Sequence, residues 1–347
     1  METLEQILSR LKAQPSMGSP QERLAWCDQA LNLIPSEERL ELRARLHVEA
    51  ALCLVPRASL ASVGQIRKAL DRYERALQVY RPETSLKQWA QARFNMARLY
   101  EHLSDPEAQE QAIHGHTEIV RAQSRALPAS VWARSHTTLA RLYFYRAEGD
   151  RRENIEQGIT HAERALGLWD SQTQPLEWAE TQDLLGLLFR ERGSENPIQD
   201  LEDSLACHQA ALSALRAIKQ CPPTHWARVK HNLGTAWIDQ PRGRRAENLS
   251  NAVACLETAL KIRTPEQVPQ DWADTQYMLV VALNAQAGAD TVASVPRARC
   301  LAQELIAFYN SQASPDDWAR CQRALGDAYM RSMEGERGEN VERAIER

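Results

Sequence analysis

No stretch of this sequence approaches the roughly 18 consecutive apolar residues of a membrane-crossing helix, so a span is excluded and no membrane partner is expected. The short motifs of several enzyme classes are missing too: there is no G-x-x-x-x-G-K phosphate loop, no G-x-G-x-x-G, no H-E-x-x-H and no zinc-type spacing. Cysteine is sparse and unpaired in pattern. The seven cysteines are odd in number and form no C-x-x-C, which argues against a disulfide framework and for a reducing, cytoplasmic setting. Neither sign of charge dominates, with 42 Lys plus Arg against 46 Asp plus Glu, so no global field draws the chain to nucleic acid or an anionic surface. The opening METLEQILSRLKAQ reads as an amphipathic helix rather than a targeting segment. With 43% hydrophobic residues there is ample material for a core, but 347 residues exceed what one compact core usually organises, which points to several domains or a repeat.

A repeat is what the sequence holds. Trp-Ala occurs at Trp89, Trp132, Trp178, Trp226, Trp272 and Trp318, at spacings of 43, 46, 48, 46 and 46. Seven residues on stands Met96, Leu139, Leu185, Leu233, Leu279 or Leu325, and eleven on a bulky Tyr100, Tyr143, Phe189, Trp237, Leu283 or Tyr329. Between them, at the eighth position, the residue is small in five of six units: Ala97, Ala140, Gly186, Gly234 and Gly326, with Val280 the exception. Positions 0, 7, 8 and 11 share one face of a 3.6-residue helix. This places the six tryptophans in the repeat core, with the small residue letting a second helix approach.

Helix starts follow the same phase. Pro175, Pro223, Pro269 and Pro315 stand three residues before their tryptophans, where a missing N–H is harmless in a first turn. Ser314 reads as a cap, with Asp316 and Asp317 meeting the positive helix end. Asn154, Asn248 and Asn340, each 22 residues after a tryptophan and preceded by Glu, read as caps of the second helix, and Gln157 falls where a capping box wants it. Asn196-Pro197 offers a cap followed by a first-turn proline. Upstream, residues 20–34, 37–55 and 62–81 also read as helices.

A helix pair with Leu-Gly/Ala-x-x-Tyr in its first helix resembles the tetratricopeptide repeat, over roughly residues 87–347. The P-x-x-W-A start, the R-x-E-N second start and the period near 46 are similar to the long bacterial variety found beside caspase-like CHAT proteases. The resemblance implies an all-α fold, a right-handed superhelical solenoid of antiparallel helix pairs, with first helices lining a concave groove for peptides. Residues 1–84 are then a diverged N-terminal start or cap, and 85–347 six tandem repeats, the last incomplete. Its second helix opens at Asn340 and the sequence stops at Arg347, so a longer protein or a covering partner is expected. The expected function is a non-catalytic scaffold or sensor for a protein or peptide segment, with a CHAT-like effector attached or associated.

Catalytic, metal and cofactor sites are not expected. His114-Gly115-His116 puts its two imidazoles on different helix faces, and Cys207-His208 lies mid-helix on adjacent ones. The tryptophans as a base-stacking ladder conflict with their helical phase alongside Leu and Tyr. Offsets 2, 5 and 9 leave the core face and, by the resemblance, look into the groove: Arg98, Arg134, Thr137, Arg141, Arg228, His231, Arg320 and Arg323 are the candidate partner-binding residues. Glu180, Asp183, Asp274 and Asp327 hold equivalent offsets, which makes the groove alternate in sign. The alternative ligand is RNA or single-stranded nucleic acid along arginine-rich turns at Arg146, Arg151, Arg152, Arg190, Arg192, Arg242, Arg244, Arg245, Arg331 and Arg337, although glutamates interleave them.

Overall fold

The computed structural model describes residues 2–13, 19–56, 61–122, 127–286, 291–312 and 314–331, and the regular elements among them are all α-helices. The chain divides into two compact units, Met1–Leu168 and Trp169–Arg347. Unit 1 holds α1 (Leu4–Ala13), α2 (Pro20–Leu33), α3 (Leu40–Leu54), α4 (Val63–Leu77), α5 (Pro82–Tyr100), α6 (Pro106–Arg121), α7 (Ala129–Tyr145) and α8 (Arg151–Leu166). Unit 2 holds α9 (Pro175–Glu191), α10 (Pro197–Ala217), α11 (Pro223–Asp239), α12 (Arg245–Leu260), α13 (Pro269–Gln286), α14 (Thr291–Gln312) and α15 (Pro315–Met330). Within each unit every helix packs on the next, and in unit 2 the first helices α9, α11, α13 and α15 also touch in succession. Short connections such as 192–196 force paired helices antiparallel. The result is a TPR-like arrangement of tandem helix hairpins.

The sequence pattern explains the packing. Alanines after the tryptophans, Ala133, Ala179, Ala227 and Ala273, are fully buried, as are Leu139 and Leu325 at the seventh position. Trp89 is buried, while the other five signature tryptophans are half-buried at the interface margin. At the eighth position the chains nearly touch. A Cβ on Gly186 would lie 2.7 Å from the His208 ring, and one on Gly234 would lie 2.8 Å from Leu256 Cγ, so α10 and α12 approach where only glycine fits.

The first-turn prolines stand as the spacing predicts, and Asn196 caps α10 by accepting from Gln199 N. Two cap expectations are corrected. Ser314 makes no capping bond, because its hydroxyl donates to Asp317 Oδ2 at 2.7 Å instead. Asn154 and Asn248 do not cap: α8 begins three residues earlier at Arg151, capped by Asp150, which accepts from Glu153 N, and α12 begins at Arg245. Both asparagines are buried inside the first turn and reach back into the preceding loop. Asn154 Nδ2 donates to Glu148 O at 2.8 Å, and Asn248 Nδ2 donates to Gln240 O and Arg242 O at 3.2 and 2.7 Å. Asp200 is the counterpart in the next unit, taking Ser194 N at 3.0 Å. Each clasp closes a turn containing a positive-φ glycine, Gly149, Gly193 or Gly243, a conformation that side chains with a Cβ rarely adopt. Asn340 and Arg337 lie outside the described residues.

Candidate binding cleft

Unit 1 carries a cleft of about 620 Å³ between α5 and α7. Its floor is apolar, from Ala90, Phe94, Leu127 and Val131, and its rim carries Lys87, Arg98 and Arg134 with no carboxylate among the described lining residues. A second cleft of about 650 Å³ between α3 and α5 shares Lys87 and Gln91 with the first and adds Arg45, Glu41 and Tyr80. The chain bends there: Ser85 has non-helical angles inside α5, and its hydroxyl bonds back to Arg81. The phase set by Trp89 therefore begins afresh after Ser85, which turns Lys87, Phe94 and Arg98 to the same side. Arg134 of α7 lies over the Phe94 ring at 5.9 Å, and His116 meets that ring edge-on at 5.3 Å.

Of the eight candidate residues, Arg98 and Arg134 meet in this cleft and the others are placed differently. Thr137 Oγ1 donates to Ala133 O within its own helix. Arg141 is paired with Glu101. Arg228 holds Asp183 at 3.1 Å and stands 3.8 Å from Glu180. His231 is half-buried, and burial, helped by the Arg263 charge, pushes its pKa down to about 4. Arg320 is paired with Asp317 and lies 4.6 Å over Tyr277. Arg323 is exposed. Asp183, expected to face the groove, is 2% exposed and belongs to the interior. Sequence reasoning missed Lys87, Phe94, Leu127 and Val131; Phe94 at offset 5 and Lys87 two residues before the tryptophan were the available signals.

Two buried polar clusters repeat one design. In unit 2, Asp183 of α9 accepts from His208 Nδ1 of α10 at 2.9 Å, and from Arg228 Nε and Asn232 Nδ2 of α11, both at 3.1 Å. Burial alone would raise the Asp183 pKa, but the His208 bond, the charges of His208 and Arg228 and the Asn232 bond outweigh it and hold it low. In unit 1, Glu101 at the end of α5 stands 3.5 Å from His116 Nε2 of α6 and pairs with Arg141 of α7. Burial opposes ionisation there as well, and His116 and Arg141 overcome it, leaving the carboxyl pKa lowered. A carboxylate on one first helix, an imidazole on its partner and an arginine on the next first helix tie three helices together.

Ser204, His208 and Asp183 supply the residue types of a hydrolytic triad, yet the geometry joins only Asp183 and His208 and leaves Ser204 apart. Ser204 Oγ and His208 Nε2 are both buried and make no hydrogen bond among the described residues. Both side chains are fully enclosed, so a substrate has no approach. His114 is exposed and His116 buried, on opposite faces as the spacing requires. Among the described residues no group of three or more His, Cys, Asp or Glu is arranged to hold a metal ion, and no helix is long and apolar enough to cross a membrane.

Most of the described arginines in the arginine-rich turns are engaged by the protein itself, while Arg152 and Arg331 are exposed. Arg146 holds Glu110 at 2.7 Å, Arg190 holds Asp239 at 2.7 Å and Arg242 holds Glu202 at 2.7 Å. Arg151 and Arg245 donate to the carbonyls of Phe144 and Ile238.

No protein-family profile and no curated protein matches the chain. Among solved structures it is similar to the TPR domain of P58(IPK), at 14% identity over 99% of this chain and 97% of that one, TM-score 0.26. Yeast Tom70 is similar at 13% identity over 95% and 93%, TM-score 0.30. A designed circular tandem repeat protein is similar at 16% identity over 94% and 86%, TM-score 0.29. TM-scores of this size do not establish a common path for the helical array.

Proposed function

We propose that the protein is a protein-interaction scaffold that holds a segment of a partner in the cleft of unit 1. The observation that carries this reading is the pair of adjoining clefts on the first-helix faces, apolar at the base, with a cationic rim on the α5–α7 cleft and a mixed one on the α3–α5 cleft, at positions where the repeat core leaves side chains unused. An extended segment lying there gains apolar contact and charge-assisted hydrogen bonds together. The TPR-like hairpins fit a binding role that needs no chemistry of their own. The link to a CHAT-like protease, attached or separate, and the cytoplasmic setting rest on the sequence resemblance and the cysteine pattern, and are proposed on those grounds.

RNA binding along the turns has less support, since most of the described arginines there are held by carboxylates and carbonyls. Photo-crosslinking tests the proposal. A photo-reactive residue replacing Gln91, in the cleft, should trap a nuclease-resistant protein adduct in source cells, and one replacing Glu163 on α8 should not. Equal adducts at both sites, or adducts destroyed by nuclease, would overturn it.

A further inference from the structure

We infer that the α5–α7 cleft is selective for an acidic segment, one that sets side-chain carboxylates beside an apolar side chain, and that this selectivity is confined to unit 1. The inference rests on the partner-binding reading above and adds the chemistry of the partner.

Three observations converge. First, Lys87, Arg98 and Arg134 rim one cleft without a carboxylate in its lining, and none has an ion-pair partner among the described residues. The cations at offsets 2 and 9 elsewhere are neutralised internally, Arg141 by Glu101, Arg228 by Asp183 and Arg320 by Asp317, while Arg323 at offset 5 is exposed on α15 outside any such cleft among the described residues. The offset-2 and offset-9 cations of adjacent hairpins, Arg134 and Arg98, thus stand together unneutralised. Second, the floor of Phe94, Leu127 and Val131 lowers the local dielectric, which strengthens attraction for an incoming carboxylate and rewards an apolar neighbour that covers the floor. Third, Arg134 is steadied over the Phe94 ring at 5.9 Å, so its guanidinium is placed before binding and loses less freedom on binding. That contact, with His116 edge-on at 5.3 Å, also occupies the ring a nucleic-acid base would need for stacking.

Fluorescence anisotropy on the full chain tests this with three tagged peptides of equal length, acetylated and amidated, alternating leucine with glutamate, glutamine or lysine. The glutamate peptide should bind at least about tenfold more tightly than the glutamine peptide, the scale of one charge-assisted hydrogen bond, with an advantage that shrinks as salt rises. The double variant Arg98→Gln/Arg134→Gln should lose that advantage, and Arg320→Gln/Arg323→Gln should keep it. Charge reversal at Arg98→Glu/Arg134→Glu should transfer preference to the lysine peptide, a gain that misfolding cannot mimic. Equal binding of glutamate and glutamine peptides, or no binding of the glutamate peptide, overturns the acidic selectivity, while a persisting adduct at position 91 leaves the scaffold reading standing. Equal losses from the unit 2 variant overturn the confinement to unit 1. Single-stranded polyuridylate binding that outcompetes the glutamate peptide and falls with Arg98→Gln/Arg134→Gln overturns both readings.

Discussion

Replacing Asp183 with alanine should destabilise unit 2 out of proportion to the atoms removed. The carboxylate serves donors on two other helices: His208 Nδ1 at 2.9 Å, Asn232 Nδ2 at 3.1 Å and Arg228 Nε at 3.1 Å. His208 is 0% and Asn232 9% exposed, so neither reaches water once the acceptor is gone, and each orphaned donor costs about 1–3 kcal/mol. The Arg228 side chain is 42% exposed and turns outward, adding no more than about 1 kcal/mol. A total near 3–5 kcal/mol results, the range for breaking one side of a buried ion pair. For a unit of this size each kcal/mol shifts the midpoint by roughly 2–4 °C, so thermal unfolding followed by circular dichroism should move down by about 10 °C. Asp183→Asn keeps the volume and one acceptor but turns the other oxygen into a donor facing donors, and should fall between wild type and alanine. Native-state hydrogen exchange should place the loss in α9, α10 and α11. A shift below about 2 °C would refute the reasoning, since it would mean that the cost of burying the carboxylate cancels what its bonds contribute.

Further outcomes follow from the same contacts. Gly186→Ala should cost about 1–3 kcal/mol in urea unfolding, because the new methyl meets the His208 ring at 2.7 Å and must displace it from Asp183; a neutral effect would show that α10 yields freely. Asn248→Ala should cost about 1–3 kcal/mol by orphaning the carbonyls of Gln240 and Arg242, with exchange quickened at that turn; unchanged exchange would dismiss the clasp. Acidification should weaken both units. Burial, then Arg72, holds His47 at about 4; burial, then Arg164, does so for His136; burial, then His136, for His161; and burial, then Arg263, for His231, all against an ordinary 6.5. The unfolded chain takes up protons that the folded one excludes, so this stability is complete above pH about 6.5 and falls as pH drops towards about 4, by up to about 3 kcal/mol per independent site, the adjacent His136 and His161 counting as one. A melting temperature unchanged between pH 7 and pH 5 would contradict it.

The hairpin array was legible because one feature repeats: a tryptophan, a leucine seven residues on and a small residue after it fix a helical face. The small position was read for the right reason, as the Gly186 and Gly234 contacts show. The asparagines were misread because Glu-Asn before an apolar residue suits either a cap or a first-turn residue bonding backwards, and only the actual helix start, at Arg151 with Asp150 as its cap, separates the two. For the candidate site, spacing found Arg98 and Arg134 but could not see which arginines are neutralised. That depends on distances such as Arg228 to Asp183, 45 residues apart in sequence. Asp183 itself sits at offset 5, the border between the buried and open faces, where Phe94, Thr137 and His231 stand in other hairpins. Polarity alone suggested solvent there, and the paired imidazole of His208 shows the interior.

The clasps and the three-helix ties act over different reaches of chain, and this has a consequence for how the molecule assembles. Asn154 and Asn248 close their turns across six to eight residues, a contact that loses little loop entropy and forms early. Asp183, His208 and Arg228 come together only after two hairpins have met. Hairpins should therefore form independently and then lock into register, and a chain lacking Asp183 should refold to nearly full helicity at an unchanged early rate while its later, register-setting phase slows and its unfolding transition broadens.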